Sequence, residues 1–412
     1  MSVMESIEPY NLLNPAFQAD PYAAYRAYRG ARPIHFGPPV LPGESRTLYL
    51  FRHEDVKEGL ANPQLVSSGN PKYMSEGVRR MLARLPEQRR VFHDLIEQWL
   101  LFLDPPEHSH LRKSVAGLFT MKRAEQMEVR VRKTAGELIS RLVGKGEVDL
   151  HQEFNLPFPV LMNCHLLGVP EADWARLEKW GAALMAAKDL SPAPEKMRRA
   201  GLAAAASSAY FSAVLERKGA APGDDLATHL AGLVESGEMS SSQAIAMCVF
   251  LMVAAHETVT TFLGNALAGL LAHPAALAAV AGWGESLPEA AIEELLRYGP
   301  PVLFVFRRAA EALAIGGVEV PRRTMVGFLL GSANRDPEVF ERPEELELSR
   351  SPNPHLSFGR GIHFCLGALM VRFQSRIILP LLAAVLEGAA PDRIQIRRNS
   401  SHGFEALRVA FR

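Results

Sequence analysis

The stretch Phe358-Gly359-Arg360-Gly361-Ile362-His363-Phe364-Cys365-Leu366-Gly367 decides the reading of this 412-residue chain. Its glycines permit a tight loop, and the apolar run that follows, to about Leu386, has the texture of a helix opened by the cysteine. A thiol at a helix N-terminus meets the positive end of the helix dipole and unpaired N–H groups, which favours its thiolate. Zinc and iron–sulfur sites want several cysteines together, and no second one lies near Cys365. A single thiolate so placed suits the axial position of a haem. A lone cysteine without these neighbours would read as a buried structural residue.

Outward from this loop the sequence is mostly helical in texture. Apolar spacing near 3.6 marks Pro21–Arg29, Met127–Leu142, Glu171–Lys188, Lys196–Arg217 and Leu287–Arg297. The longest candidate starts at Ser240, where Gln243 completes a capping box, and runs through Leu271 to a stop at His273-Pro274. That is about 33 residues, or ~50 Å. Its uncharged run Ala244 to Ala255 falls short of the roughly 18–20 residues that span a bilayer, so a buried core helix is expected. His256-Glu257-Thr258 stands in its middle, and a buried Glu is costly unless it is paired or used. Strand-like pieces are short: Thr47 to Phe51, Val318 to Pro321, Ile394 to Ile396 and Leu407 to Phe411, the last two as a hairpin around Asn399–Gly403. The fold class expected is mainly α with a minor β lobe, drawn from about residues 30–52, 302–327 and 392–412. No long linker or repeat divides the chain, so 1–412 is expected to be one domain, although length alone would allow two or three.

Phe358, Gly361, Cys365 and Gly367 meet the pattern Phe-x-x-Gly-x-x-x-Cys-x-Gly, and with three further segments the chain resembles a soluble bacterial cytochrome P450 over essentially its whole length. The resemblance implies that family's fold, with the long distal helix across the haem, and heme b (iron protoporphyrin IX) with Cys365 as the metal ligand. Glu294-Leu295-Leu296-Arg297 is similar to the family's Glu-x-x-Arg. Alone it is a weak signal, since an exposed i,i+3 pair is worth tenths of a kcal/mol. By resemblance it is structural and is joined by Arg350. The segment Asp104 to Arg112 resembles the helix that meets the haem propionates, with His108 and Arg112 at i,i+4. Arg307 and His363 are the matching donors. A His-x-His metal site at His108 and His110 is the competing reading, and His110 is expected to face solvent. Ala254-Ala255-His256-Glu257-Thr258 is similar to the distal-helix motif, with Ala255 where glycine is usual. Reductive use of O2 needs two protons. Thr258 would be the hydroxyl that passes them and Glu257 the acid that relays them from solvent; the bland reading is a core Thr bonded to the preceding turn. Phe250, Val253, Ala254, Val302, Leu303, Phe304 and Phe404 match pocket-lining positions and are apolar or small. Cys164, Cys248, Met247 and Met252 read as core packing.

The charge balance of 45 Lys+Arg against 45 Asp+Glu gives no reason to expect nucleic acid or a membrane surface. Three cysteines cannot all pair and the first thirty residues hold no signal-peptide core, so a cytoplasmic protein is expected. Gly359-Arg360-Gly361 lacks the third glycine of a dinucleotide loop. Electrons would therefore come from another protein, which the resemblance implies is a ferredoxin or flavodoxin with its NAD(P)H reductase, docking at Arg112, Lys113, Arg360 and Arg372. Arg79, Arg80, Arg84, Arg89 and Arg90 read as a solvated face, or as an anchor for a carboxylate or carrier-tethered substrate. The expectation is a monomeric haem-thiolate monooxygenase that inserts one oxygen atom of O2 into a fatty acid, terpene, steroid or polyketide. A peroxide-driven or oxidative-coupling relative is the alternative within catalysis, and a haem protein that only binds ligands is the alternative outside it.

Overall fold

Strand pairing and helix caps follow the sequence closely in the computed structural model, which describes residues 8–41, 43–187, 193–284, 286–398 and 403–411. The described strands are β1 Ile34–Gly37, β2 Thr47–Leu50, β3 Leu65–Ser67, β4 Glu147–Asp149, β5 Val305–Ala309, β6 Leu313–Ile315, β7 Val318–Val320, β8 Met325–Phe328, β9 Ala389–Arg398 and β10 Phe404–Phe411. The chain divides into two compact units. One comprises Met1–Leu85, Leu101–Pro106 and Glu293–Cys365; the other comprises Pro86–Leu100, Glu107–Ile292 and Leu366–Arg412.

The first unit is organised by a five-stranded sheet in the order β1-β2-β8-β5-β3. β2 lies inside it, antiparallel to β1 and parallel to β8 with Leu48 beside Val326. Both of its faces are covered, so all four residues are buried. Leu48 and Leu50 join Val56, Leu60 and Phe328 in one core. Tyr49 meets the ring of Tyr10 edge-on at 5.0 Å. β5 is antiparallel to both neighbours, and Arg307 stands opposite Val326 on one side and Ser67 on the other. That register fixes a charged side chain in the middle of a sheet.

The second unit is built on the central helix Ser241–Ala272. Its start is the expected capping box: Gln243 N–H donates to Ser240 Oγ (3.2 Å), and Ser240 N–H donates to Gln243 Oε1 (3.0 Å). It ends at His273, before Pro274. Helices Pro157–Leu167, Trp174–Ala186 and Pro194–Ala220 pack along it. By length and composition alone the central helix and Ala368–Leu386 are apolar enough to cross a membrane, with 67% and 50% of their most apolar windows buried in the protein. The unbroken uncharged run Ala244 to Ala255 is too short to span by itself. Averaged over the helix, Glu257 is outweighed by its apolar neighbours.

Three expectations need correction. The C-terminal segment belongs to no common β lobe with the other two: β10 pairs with β9 (Val409 beside Ile394) and with β4 (Val409 beside Val148), giving the second unit its own sheet. Two strands need further partners to be stable, and β4 supplies one. Within the expected turn Asn399–Gly403, only Gly403 lies among the described residues. The helix expected from Glu171 begins as a 3-10 turn, Glu171–Asp173, and becomes α-helical over Trp174–Ala186; Lys188 lies outside the described residues. Finally, Cys365 does not itself open a helix. Phe364 leaves the turn Gly361–His363 in an extended conformation, and the helix starts at Ala368 with Gly367 as N-cap.

Candidate functional site

The sequence-selected residues fall into a set on each unit. In the first unit the loop closes on itself: Cys365 N–H donates to Phe358 O at 2.9 Å. Gly359 and Gly361 take φ of +69° and +72°, which L side chains adopt only at a cost. At Gly361 there is also no room, because a Cβ would lie 2.6 Å from Leu60 O and 3.2 Å from Ala61 Cα. The loop thus lies directly on the backbone of helix His53–Ala61. The Phe358 ring lies tilted against those of His355 and Phe364, at 6.0 and 6.2 Å. Cys365 and His363 are half-buried. Cys164 and Cys248, by contrast, are core thiols that burial pushes upward in pKa, Cys164 to about 12.

Arg307 is buried at the middle of its sheet. Its guanidinium donates to Phe306 O at 2.8 Å, and among the described residues it forms no ion pair. Burial draws its pKa down to about 10, with the charge of Asp104 opposing. Asp104 itself is taken by Ser67 N–H (2.8 Å) and Asn70 Nδ2 (2.7 Å). A buried cation with donors left over is a seat for a carboxylate or phosphate. A thiol on a glycine-bent loop together with this guanidinium is a donor set that fits a haem, whose iron takes a thiolate and whose propionates take cations. Val302, Leu303 and Phe304, just before β5, are half-buried.

Glu294 and Arg297 are fully buried. Arg297 holds the carboxylate bidentately at 2.7 and 2.8 Å, and Arg350 adds a bond of 3.1 Å. Asn353 Nδ2 (3.1 Å) and Glu347 N–H (2.8 Å) also donate to Glu294. Arg297 further donates to the carbonyls of Asn334, Pro343 and Glu345. The tetrapeptide that is weak evidence as sequence is the hub of this unit's polar core.

In the second unit the central helix is buried along most of its length, yet Phe250, Ala254, Ala255, Glu257 and Thr258 are half-exposed. Phe250, Ala254 and Thr258 are spaced by four and share one face. Thr258 Oγ1 donates to Ala254 O at 2.7 Å, so its proton is held by the preceding turn and its lone pairs remain to accept. Val253 and Phe404 are not on this open face. Both are buried, and the ring of Phe404 packs over Gly264 and His151. On helix Glu107–Ala116, His108 is buried and Arg112 half-buried. His110 is exposed and its ring meets Glu238 O at 2.9 Å. Among the described residues, no group of three or more His, Cys, Asp or Glu is placed to hold a metal ion. Arg79, Arg80, Arg84 and Arg90 are exposed, and Arg80 pairs with Glu76.

Sequence reasoning missed Asn163. It sits in the buried helix Pro157–Leu167 and donates from Nδ2 to Leu251 O (3.2 Å) and Met252 O (2.9 Å). One amide so grips the central helix a turn before Glu257. The available signal was a single Asn inside the apolar run PFPVLMNCHLL.

A family model described as "Cytochrome P450" matches residues 286–385, a span that includes Glu294, Arg297 and Cys365. "Cytochrome P450 107B1" of Saccharopolyspora erythraea is 36% identical over 355 residues, 84% of this chain and 85% of that protein. "Vitamin D(3) 25-hydroxylase" of Pseudonocardia autotrophica is 33% identical over 92% of this chain and 89% of its own length. Among solved structures, P450BioI in complex with hexadec-9Z-enoic acid ligated acyl carrier protein has a TM-score of 0.86 at 27% identity, covering 97% of this chain and all of that one.

Proposed function

This chain belongs to the cytochrome P450 family, and on that footing we propose that it oxidises a hydrophobic small molecule of fatty-acid, terpene, steroid or polyketide type with electrons from a ferredoxin or flavodoxin served by an NAD(P)H reductase. It is a monooxygenase, and members of its family bind haem through a cysteine thiolate. The haem supplies O2 activation, the thiolate pushing electron density that favours O–O cleavage, a general property of cytochromes P450.

Cys365 would be the ligand, carried on the loop that Phe358, Gly361 and Gly367 shape. Each unit carries donors suited to haem propionates, Arg307 and His363 on the first and His108 and Arg112 on the second; that Arg307 forms no ion pair among the described residues supports its role. Glu257 holds the proton to be delivered. Thr258, whose O–H rests on Ala254 O in this structure, would pass it on by accepting at a lone pair as its own O–H turns from Ala254 O to the proton's destination. Phe250 and Ala254 on the second unit, and Val302, Leu303 and Phe304 on the first, are apolar or small residues of the kind that meet such a substrate. The half-exposed Phe250–Ala254–Thr258 face, in the middle of a largely buried helix, is the observation that carries the reading. An acid–hydroxyl pair there favours O2-driven chemistry over a peroxide-driven variant. The long apolar molecules named with the vitamin D(3) hydroxylase and the hexadecenoyl-carrier complex support the substrate class. Exposed Lys113, with half-buried Arg112 and Arg372, offers an acidic redox protein its contact on the second unit.

Thr258→Ala tests the proposal. O2 and NAD(P)H consumption should continue while product per O2 falls; unchanged coupling would remove Thr258 from the relay. A panel of apolar ligands scored by the shift of the haem Soret band then sorts the substrate classes.

A further inference from the structure

The other face of the central helix carries polar groups that the reaction does not use. His256 and Thr260 lie one turn apart on it. Helix Pro157–Leu167 brings Asn163 to the same face through its bonds to Leu251 O and Met252 O. Met252 O ends the helical turn that begins at His256. The wide turn His151–Asn155, closed by Leu156 N–H on His151 O at 2.9 Å, packs against the helix too. Its His151 ring stacks at 6.4 Å on Phe404, which covers Gly264 one turn beyond Thr260. On the remaining side, helix Trp174–Ala186 closes in with Gly181, where a Cβ would lie 3.2 Å from His256 Nδ1.

All five polar residues are more than nine-tenths buried. Among the described residues, His151 Nδ1, Asn155 Nδ2 and Oδ1, Asn163 Oδ1, His256 Nε2 and Thr260 Oγ1 have no protein hydrogen-bond partner. Buried polar atoms are bonded almost without exception, and water that finds two to four such partners is a standing part of protein interiors. The apolar surroundings hold His256 neutral: burial draws its pKa down to about 4, and the charge of His151 adds to the effect. A neutral imidazole offers one donor and one acceptor, and so can be a node in a water network.

We propose that the seam formed by His151, Asn155, Asn163, His256 and Thr260 is a built internal-water site, and that its water bridges fix the turn of the central helix that carries Glu257 and Thr258. The second half rests on the relay reading above; the first half does not. His256 is then a positioning residue, acting through the helix and not on substrate.

Three measurements on the haem-loaded enzyme separate the parts. A high-resolution crystal structure should show ordered water within hydrogen-bond distance of His256 Nε2 and of Asn155; a seam whose polar atoms are dry overturns the site. Thr260→Val removes one hydroxyl at constant shape. A hydrated seam loses a bond and the melting temperature falls, whereas a dry orphan would be relieved and the temperature would rise. For the positioning half, His256→Gln keeps a donor and an acceptor and His256→Leu keeps neither. Product formed per O2 should be retained in the first and fall in the second. Equal coupling in both, with water present in the wild type, removes the positioning role and leaves the water site standing.

Discussion

Replacing Glu294 by alanine should be among the most damaging single changes to this fold. The carboxylate accepts bonds from Arg297, Arg350, Asn353 and Glu347 N–H, with no solvent at either Glu294 or Arg297. Breaking a buried pair by removing one partner costs about 3–5 kcal/mol, because the other charge remains buried and unpaired. Here Arg297 loses its counter-ion and Arg350 loses one of two carboxylate partners. Carbonyl bonds retain Arg297, and carbonyl bonds with the flank of Glu347 retain Arg350, so a value of ~4 kcal/mol is appropriate. An unfolding entropy of ~2.1 cal/mol/K per residue over 412 residues gives about 0.9 kcal/mol/K, and the expected loss in melting temperature is ~5 °C. Arg350→Ala should lose less, since the bidentate contact to Arg297 survives. The double variant should lose less than the two singles together, as members of one network do. Far-UV circular dichroism melts provide the measurement. A Glu294→Ala enzyme that melts within ~1 °C of the wild type would refute the assignment of this hub as a stabilising core.

Other expectations follow from single contacts. Gly361→Ala forces a side chain into positive φ and onto Leu60 O; it should lower haem content at equal protein, measured as the ratio of Soret to protein absorbance, while Gly359→Ala, with no neighbour nearer than 3.9 Å, should lower it less. Asn163→Leu removes the grip on Leu251 and Met252 carbonyls and should destabilise by about 1 kcal/mol or more, read as a lower midpoint in urea. His256 is held neutral, with a pKa of about 4 against about 6.5 when unfolded. Its contribution is therefore complete above pH 6.5 and is lost as pH falls from there toward 4, where the unfolded chain binds one more proton. His256→Gln should flatten the melting temperature against pH across that window; an unchanged slope would show that the imidazole titrates normally.

The parts of the structure legible in the sequence are those fixed by local chemistry. The Ser240–Gln243 box and the His273-Pro274 stop bound the central helix because caps act within one turn. The Phe358–Gly367 loop was legible because positive φ and close approach demand glycine. What the sequence did not disclose depends on contacts far apart in the chain. β4 is three residues whose only reason to be a strand is β10, more than 250 positions later. Asn163 and the polar seam were hidden because a buried polar residue in an apolar helix has no pattern that names its partner. The packing of Phe404 on Gly264 and His151 likewise joins positions more than a hundred residues apart. An apolar run begins at Cys365, but the turn at Leu366-Gly367 delays the helix to Ala368.

The central claim, that Cys365 gives this protein a haem-thiolate centre, is tested most directly by the spectrum of the reduced protein under carbon monoxide. The wild type should show the red-shifted Soret band of a thiolate ligand, and Cys365→Ala should lack it while Cys164→Ala and Cys248→Ala keep it. A wild-type protein without that band, or a Cys365→Ala protein that retains it, would contradict the account.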